Sequence, residues 1–263
     1  MSTEFDLDRA LLVARNAALS AGRLIDRYYR QGVAVRLKAD QTPVTQADEE
    51  SEACIRQILL SAYPDHAIYG EEGGRTGNSE WLWLVDPIDG TKSFVRGYPF
   101  FSTQIALMHG DELVLGVSYA SAFGEMAWAR KGGGAFLDGR PCRVANTTEL
   151  GKATLSTGNL KTLARGPGWK VLADLVSGAN RTRGYGDFYH YHLLASGRID
   201  LVLESDVNIL DIAALVLIIR EAGGVFTDLK GAQIGLDTTS VLTGTPAMHA
   251  YALDAMRMKT AEQ

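Results

Sequence analysis

The sequence lacks the features that mark membrane-spanning, disulfide-bonded and nucleic-acid-binding proteins. Its 263 residues include two cysteines, Cys54 and Cys142, which are too few for a disulfide framework or a clustered zinc site. It has no apolar run of about 18 residues, the length of a membrane helix. Lys and Arg number 26 against 31 Asp and Glu and form no dense run, whereas nucleic-acid-binding proteins carry a basic patch. We therefore expect no membrane and no nucleic-acid partner.

Signals of secretion and of several enzyme classes are also missing. The first residues, MSTEFDLD, are acidic, whereas a signal peptide begins with a basic segment, so a cytoplasmic location with reduced cysteines is expected. The glycine-rich nucleotide motifs do not occur, and neither do the GxSxG and HExxH motifs of serine and zinc hydrolases. Among five histidines, His190 and His192 would lie on different faces of a helix. Structural or surface roles are predicted for all five.

Hydrophobic periodicity predicts a mixed α/β (α+β) protein. Helical patterns cover 6–30, 46–62, 168–178, 187–196, 209–222 and 247–258. Strand patterns cover 33–38, 67–70, 81–85 and 199–204, with an antiparallel meander from 101 to 137 and a further strand and hairpin at GVFTDLKG (224–231). This mixture favours a layered architecture over a parallel Rossmann sheet. We expect one domain with two lobes, an α+β lobe over 1–145 and an α/β lobe over 146–263.

Three details of this prediction concern single segments. The helix over 209–222 is apolar nearly all round, which is typical of a buried helix. The glycine-rich stretch 73–78 is predicted to be a loop. Pro87 lacks a backbone N–H and is expected to end the strand that begins at Trp81.

Two aspartates follow the apolar segment WLWLV. As a strand, this segment would carry Asp86 and Asp89 to the end of a sheet, where Gly90 makes a turn and Thr91 opens a short helix. The carbonyl of Ile88 would be a further oxygen ligand. Hard oxygen ligands suit Mg²⁺, and the N–H groups of a helix start suit phosphate. The segment therefore predicts a corner that binds metal and phosphate.

The same carboxylates also have a structural interpretation. Asp-Pro and Asp-Gly pairs are common in turns. Asp211 and Asp48 each stand three residues after a candidate N-cap, Asn208 and Thr45, where a carboxylate completes a capping box. Against this, the pair Glu71–Glu72 also follows a buried strand, and ionised carboxylates beside so much apolar sequence need a partner such as a cation. The joint pattern favours the metal site.

The sequence resembles the inositol monophosphatase-like phosphatases. The matching segments are TPVTQAD (42–48), GEE (70–72), DPIDGT (86–91), Asp211 and EAGG (221–224). The resemblance extends from the first helix to the last. Leu210 stands where the family usually has Trp. Within the family, TKSFVRG (91–97) and YGDF (185–188) are most similar to the bacterial histidinol-phosphate phosphatases.

The resemblance implies an α-β-α-β-α sandwich and a Mg²⁺-dependent phosphoric monoester hydrolase. It places one Mg²⁺ on Glu71, Asp86 and the Ile88 carbonyl, and a second on Asp86, Asp89 and Asp211. Paired ions about 3.5–4 Å apart can clamp the attacking and the leaving oxygen. A third, looser ion near Glu71 is also compatible with the resemblance.

The resemblance also assigns roles in hydrolysis. A metal-activated water, oriented by Thr91 and Asp48, would attack phosphorus, with Glu71 and Glu72 as proton acceptors and no phosphoenzyme. Asp89 and the Gly90 and Thr91 amides would hold the phosphate. Inhibition by Li⁺ is also implied.

The leaving-group side is predicted at two acidic positions. Glu204 ends a strand seven residues before Asp211, and the family places that position against the alcohol portion of the substrate. Asp187 could also approach it. The structural alternative for Glu204 is a solvated strand end. Lys92 and Arg96 either attract substrate or are solvated surface groups.

Three functions follow from these residues. The resemblance to the histidinol-phosphate phosphatases predicts hydrolysis of L-histidinol phosphate, and the carboxylate pair would suit the ammonium and imidazole of L-histidinol. Inositol-1-phosphate is the alternative substrate, with nucleotide 3′-phosphates and fructose bisphosphate further off. A non-catalytic metal-binding regulator belongs to a different class, and its mark would be a missing metal carboxylate, whereas all four are present. A homodimer is the default expectation.

Overall fold

The computed structural model describes residues 5–31, 35–37 and 43–261. These residues form seven α-helices: α1 (Leu7–Gln31), α2 (Gln46–Ala62), α3 (Thr91–Val95), α4 (Gly168–Gly178), α5 (Tyr189–Ala195), α6 (Ile209–Glu221) and α7 (Pro246–Ala261). The fifteen strands are β1 (Val35–Leu37), β2 (Pro43–Thr45), β3 (Ala67–Gly70), β4 (Gly74–Thr76), β5 (Trp81–Asp89), β6 (Ser102–His109), β7 (Glu112–Ala120), β8 (Glu125–Arg130), β9 (Ala135–Leu137), β10 (Arg140–Cys142), β11 (Thr154–Thr157), β12 (Arg181–Arg183), β13 (Leu201–Ser205), β14 (Val225–Thr227) and β15 (Ser240–Gly244).

The strands make two main sheets and one short antiparallel pair, β1–β2. The larger sheet has the order β10-β9-β8-β7-β6-β5-β3-β4 and is antiparallel except where β3 runs parallel to β5. Its β6-β7-β8-β9 portion is the predicted meander. The smaller sheet has the order β12-β11-β13-β15-β14, with β11 parallel to both of its neighbours.

Alternation of side chains along β5 shows how the layers are built. Leu82 and Leu84 face a core that contains α5 and α6, whereas Trp83 and Val85 face the other side, where α1 and α2 pack. A third core joins the smaller sheet to α4 and α7. The order of layers is therefore α1/α2, larger sheet, α5/α6, smaller sheet, α4/α7, which confirms the α-β-α-β-α sandwich.

Helix α6 is the central element of the sandwich. Residues 212–219 are all buried, as predicted from its apolar circumference, because sheets cover it on both sides. Its N-cap is Asn208, whose side-chain oxygen accepts the N–H of Leu210 at 3.1 Å. The cap fixes the start of the helix at the place where Asp211 stands.

Several boundary predictions are wrong. Part of the glycine-rich stretch is strand β4, which pairs with β3 as the last strand of the larger sheet. Pro87 does not end β5, which runs on to Asp89 across a register shift against β6. Helix α5 begins at Tyr189 because Gly186 and Asp187 have φ of +67° and +45°, outside the helical region.

Short strands are what the sequence patterns missed. Strands β11, β12 and β15 are only three to five residues long, which is too little sequence to show a period of two, whereas β14 lies within the predicted strand and hairpin over 224–231. For the predicted strand over 33–38, Val35–Leu37 is confirmed, while 33, 34 and 38 lie outside the described residues.

Two further expectations concern the whole chain. The larger sheet uses residues 67–142 and the smaller sheet residues 154–244, and the division into two lobes near 145 stays a prediction. Within the described ranges, no helix is both long and apolar enough to cross a membrane. Cys54 and Cys142 are unpaired, and burial raises the pKa of the Cys142 thiol to about 11.

Candidate metal and phosphate site

The end of β5 carries two carboxylates past a bulge. Asp86 pairs with Gln104 and Asp89 with Ser102, so β5 has one more residue than β6 in this interval. Pro87 is tolerated here because a bulge has no ladder bond for it to donate. Asp86 accepts the N–H of Ile88 at 2.9 Å, and Asp89 accepts the Ser102 hydroxyl at 3.2 Å.

The third carboxylate comes from the start of α6. Asp211 accepts the backbone N–H of Asn208 at 2.9 Å, as the capping-box interpretation predicted. It also lies beside Asp86 and Asp89, and one oxygen atom from each of the three falls within 4.8 Å of the others. Asp211 therefore both closes the capping box of α6 and belongs to the acidic cluster.

Burial and mutual repulsion act on this cluster together. Burial first, and then the charges of Glu71, Asp211 and Asp89, raise the pKa of Asp86 well above its usual range. The pKa of Asp89 is raised by burial and by Asp211. Burial raises the pKa of Asp211 to about 7. A divalent cation among these oxygens would remove the repulsion, so the donor set fits a hard metal ion.

A cavity of about 210 Å³ opens over the cluster. Of the predicted site residues, those that line it are Glu71, Asp86, Ile88, Asp89, Gly90, Thr91, Asp187 and Asp211. Within the part of the chain that the structure describes, Asp48, Glu72 and Glu204 lie outside this lining. Three predicted positions are thus next to the cavity wall instead of in it.

Glu71 reaches the cavity from the end of β3. Its N–H donates to the carbonyl of Val85 at 3.2 Å, which continues the parallel pairing of β3 with β5 by one residue. Glu72 follows on the turn, and its N–H donates to Glu52 at 2.7 Å. Nothing in the sequence predicts a role for Glu52 in the site.

Asp48 lies behind Thr91. It accepts the N–H and the hydroxyl of Thr45 at 2.8 and 2.6 Å, which forms the predicted capping box of α2. Its other oxygen lies 3.3 Å from the Thr91 hydroxyl, which is 2.9 Å from the Ile88 carbonyl. Burial raises the pKa of Asp48. The structure therefore joins Asp48, Thr91 and Ile88 in one chain of contacts.

Gly90 makes the turn from β5 into α3. Its φ is +88°, and a Cβ atom there would lie 2.5 Å from the Phe100 carbonyl, so a larger residue would be both strained and crowded. Helix α3 begins at Thr91, as predicted. Its first N–H groups have no partner within the helix and lie at the edge of the cavity.

The leaving-group side is built around Asp187 and Glu204. Asp187 accepts the Ser93 hydroxyl at 3.3 Å, and burial followed by the charge of Glu204 raises its pKa. Its φ of +45° is rare for a residue with a side chain, and such conformations often occur at functional sites. Asp187 therefore lies in the cavity wall in a conformation that the surrounding fold must hold.

Glu204 is only 4% exposed, so it is not a solvated strand end. Its Oε1 accepts the N–H of Asn159 at 3.1 Å and its Oε2 accepts the Tyr191 hydroxyl at 2.8 Å. The Nε2 atom of buried His190 lies 3.2 Å from the same Oε2, although it is not aligned for a straight hydrogen bond. Burial alone would raise the pKa of Glu204, but these contacts lower it, so the side chain stays charged.

Three residues at this side have no predicted role in the site. Asn159 and Asp206 line the cavity, and His190 touches Glu204 from within the core. Asn159 follows β11, and polar residues just past a strand are a usual signal, but β11 itself was not predicted. His190 was expected to be structural, and its burial agrees with that. Lys92 lines the cavity, and its positive charge offsets a small part of the rise in the pKa of Asp187 that burial and Glu204 cause.

Known proteins share this fold and are similar in sequence along most of the chain. The structure of the extragenic suppressor protein suhB from Bartonella henselae superimposes with a TM-score of 0.88 at 31% identity, covering 95% of this chain and 98% of that one. A histidinol-phosphatase from Mycobacterium tuberculosis is 44% identical over 201 residues, 74% of this chain and 77% of its own. An inositol-1-monophosphatase from Mesorhizobium japonicum is 36% identical over 257 residues, 94% and 96% of the two chains.

These likenesses define the class of the protein as a phosphoric monoester hydrolase. The profile of the inositol monophosphatase family matches residues 6–262, and the chain belongs to that family. The family is in general metal-dependent, in agreement with the acidic cluster.

Proposed function

We propose that the protein hydrolyses a small phosphate monoester with Mg²⁺ as its metal. The observation that carries this is the convergence of Asp86 and Asp89, on strand β5, with Asp211, on helix α6 of the next layer. The cluster lies beside the start of α3, whose first N–H groups have no partner within the helix. An all-oxygen donor set suits Mg²⁺ better than zinc.

Glu71, Asp86 and the Ile88 carbonyl would hold one ion, and Asp86, Asp89 and Asp211 a second. Asp86 would serve both ions, in keeping with its closeness to Glu71 and Asp211, whose charges both raise its pKa. A third ion near Glu71 would be weaker. Bound Mg²⁺ supplies neutralising charge for the phosphate and makes water more acidic.

The residues of the chain then divide the reaction among them. The N–H groups of Gly90 and Thr91 bind phosphate oxygens. Thr91, held by Asp48, orients the water whose oxygen forms the new bond to phosphorus. Glu71 accepts its proton, since Glu71 lines the cavity, with Glu72 as the second candidate. The bond from phosphorus to the alcohol oxygen breaks, and the alcohol leaves with a proton from solvent.

L-Histidinol phosphate is the substrate that we propose. The leaving-group side presents Asp187 in the wall and charged Glu204 behind it, and negative groups there favour an alcohol that carries an ammonium and an imidazole. The similarity to a histidinol-phosphatase supports the same choice. Asp187 is better placed than Glu204 for direct contact, because Glu204 already binds Asn159 and Tyr191.

Inositol-1-phosphate is the second candidate. It would use the same phosphate and metal residues, and the Mesorhizobium japonicum relative named inositol-1-monophosphatase aligns with nearly the whole chain. Inositol is uncharged, so the acidic leaving-group side would serve it only through hydrogen bonds to hydroxyl groups.

A panel of phosphomonoesters assayed with Mg²⁺ tests the proposal. We expect the highest kcat/KM for L-histidinol phosphate, loss of turnover in EDTA, recovery with Mg²⁺ and inhibition by Li⁺. Full activity in metal-free buffer would contradict the metal dependence. A preference for inositol-1-phosphate would select the second substrate, and Mg²⁺ binding without turnover of any ester would indicate a metal-binding regulator. Size-exclusion chromatography with light scattering tests the expected homodimer.

A further inference from the structure

A buried glutamate, Glu52, accepts hydrogen bonds from the turn that follows Glu71. It lies on α2 and is 2% exposed. One carboxylate oxygen accepts the N–H of Glu72 at 2.7 Å and the other accepts the N–H of Gly73 at 2.8 Å. These are charge-assisted hydrogen bonds from two consecutive backbone groups, an arrangement that fixes a turn strongly.

Arg56 holds Glu52 in place and also forms hydrogen bonds to β4. Its Nε donates to Glu52 at 2.7 Å, one helical turn along α2. Its other nitrogens donate to the Gly74 carbonyl at 2.5 Å and to the Thr76 hydroxyl at 3.1 Å. Two side chains of α2 therefore bind the turn after β3 and the strand that follows it.

The fit around the Glu52 carboxylate leaves no spare volume. A Cβ atom on Gly70 would lie 2.5 Å from its Cδ, and one on Gly73 would lie 2.8 Å from its Oε1. Real Cβ atoms do not approach so closely, so the glycines before and after Glu71–Glu72 are needed for the carboxylate to reach the backbone.

The turn that Glu52 binds is part of the acidic site. Glu71 stands between β3 and the bonded residues Glu72 and Gly73, and its N–H binds the Val85 carbonyl on the strand that delivers Asp86. Glu71 is thus anchored on one side by the larger sheet and on the other by Glu52. The same helix holds Asp48, which contacts Thr91 at 3.3 Å.

We infer that Glu52 is a positioning residue for the metal site: it fixes the turn that presents Glu71, and Arg56 fixes Glu52. The inference rests on the proposed function, because it takes Glu71 to be a metal ligand. Groups that orient ligands from behind commonly contribute a tenfold to hundredfold factor to metal affinity.

Glu52→Gln is the test, read out as the Kd for Mg²⁺ titrated calorimetrically into metal-free protein. The amide keeps one acceptor oxygen but turns an NH₂ group toward a backbone N–H, so one of the two turn bonds becomes a repulsion. We expect the Kd for Mg²⁺ to rise about 10- to 100-fold. If the phosphatase is active, the Mg²⁺ concentration for half-maximal rate should rise similarly, while kcat at saturating Mg²⁺ recovers.

Two further variants separate positioning from stability. Glu50→Gln removes the same charge from the exposed side of α2 and should leave the Kd unchanged. Gly73→Ala keeps Glu52 but pushes its carboxylate away from the turn, and should raise the Kd as Glu52→Gln does. Thermal melts establish that each variant is folded at the temperature of the titration.

The outcomes are distinct for the inference and for the proposed function. Parent-like Mg²⁺ affinity in folded Glu52→Gln overturns the inference alone, and Gly73→Ala decides in the same way if Glu52→Gln does not fold. A parent protein that binds no Mg²⁺ overturns the metal site and the inference with it. Mg²⁺ binding without ester hydrolysis overturns the proposed reaction, while the affinity comparison still decides the role of Glu52.

Discussion

Individual carboxylates in this site differ in how the protein treats their charge. Asp86 and Asp89 are 1% and 9% exposed, and their pKa values are raised by burial and by one another. Glu204 is as deeply buried, but hydrogen bonds and His190 lower its pKa. The charged forms of Asp86 and Asp89 are therefore stable only beside a cation, whereas the charged form of Glu204 is already stabilised by the protein.

The first residue-scale prediction concerns Asp86→Asn. The amide cannot neutralise two cations, so Mg²⁺ affinity should fall more than about 100-fold, beyond the usual effect of an outer group, and turnover should nearly vanish. Because the substitution removes a buried charge that repels its neighbours, the metal-free variant should melt no lower than the parent. Calorimetric titration, steady-state rates and thermal melts measure these three quantities. Near-normal affinity and turnover together would show that the metals bind elsewhere.

The second residue-scale prediction concerns Glu204→Gln. Mg²⁺ binding should be unchanged, while kcat/KM for L-histidinol phosphate should fall far more than that for p-nitrophenyl phosphate. A lost direct charge-assisted contact corresponds to about 1.5–3 kcal/mol, or roughly 10- to 150-fold, and the lower end of this range is expected for a charge that acts from behind Asp187. The physical reason is that Glu204 places a negative charge behind Asp187, on the side of the alcohol.

Glu125→Gln is the matched control for Glu204→Gln. Glu125 also pairs with a buried histidine, His192, at 2.8 Å. Glu125 is not among the residues that line the cavity. It should alter both substrates little. An equal loss for both substrates in Glu204→Gln would assign Glu204 to the metal site or to folding, and no loss would remove it from substrate recognition.

At the scale of elements, the two helices that begin at the site, α2 and α6, have the same kind of N-terminal cap. Helices α2 and α6 both start with a capping box, Thr45 with Asp48 and Asn208 with Asp211. In each case the carboxylate that closes the box also belongs to the site. Helix starts are rigid and well defined, so they place these side chains accurately.

Asn208→Ala tests how α6 presents Asp211. The side-chain cap to Leu210 is lost, and the free energy of unfolding should fall by about 0.5–2 kcal/mol. Mg²⁺ affinity should nevertheless stay within a few-fold, because Asp211 accepts the backbone N–H of residue 208, which alanine retains. Denaturant unfolding and calorimetric titration measure the two effects. Asn146→Ala, at an exposed asparagine, serves as the control, and a collapse of affinity would mean that the side chain itself orients Asp211.

Long elements with strong patterns were predictable from the sequence, and short ones were not. The buried α6, the bounds of α2 and α4 and the meander follow from periodicity and capping signals. The strands β11, β12 and β15 are stabilised by pairing with neighbours distant in sequence, which no local pattern records. The extension of β5 past Pro87 depends on a bulge against β6, which is a property of the pair of strands.

The candidate site shows the same division. The acidic residues near turns and caps were found because several of them converge on one type of chemistry. Glu52 and His190 were not found, since a glutamate in a helix is ordinarily a solvated residue and a lone buried histidine is ordinarily part of the core. Only the fold shows that Glu52 meets the turn after β3, 20 residues away in sequence.

At the scale of the whole molecule, the acidic cluster lies where the layers meet. Asp86 and Asp89 belong to the larger sheet, and Asp211 belongs to α6, which packs between the two sheets. Repulsion among the three carboxylates therefore acts between layers and opposes the assembly of the sandwich. Stability of the whole fold should depend on pH and on the metal for this reason.

Metal-free protein should lose stability as pH rises. The pKa of Asp211 is raised from 3.8 to about 7 in the folded state. Below 3.8 the carboxyl is neutral in both states, so its contribution to stability is fully present there. Between 3.8 and about 7 the unfolded chain releases the proton more readily, and the contribution is lost. The raised pKa values of Asp86 and Asp89 act in the same direction.

Mg²⁺ should reverse this loss, and by more at pH 8 than at pH 5, because the ion binds the charged carboxylates. Thermal melts from pH 5 to pH 8, with and without Mg²⁺, measure the effect, and each kcal/mol corresponds to roughly 2–4 °C in Tm for a chain of this size. Burial lowers the pKa values of His66 and His249, which stabilises the fold as pH rises and opposes the trend. The comparison is therefore between the parent and Asp211→Asn, which retains both histidines. A metal-free parent whose Tm follows that of Asp211→Asn at every pH would show that Asp211 bears no unfavourable charge, and the argument for a cation at this junction would fail.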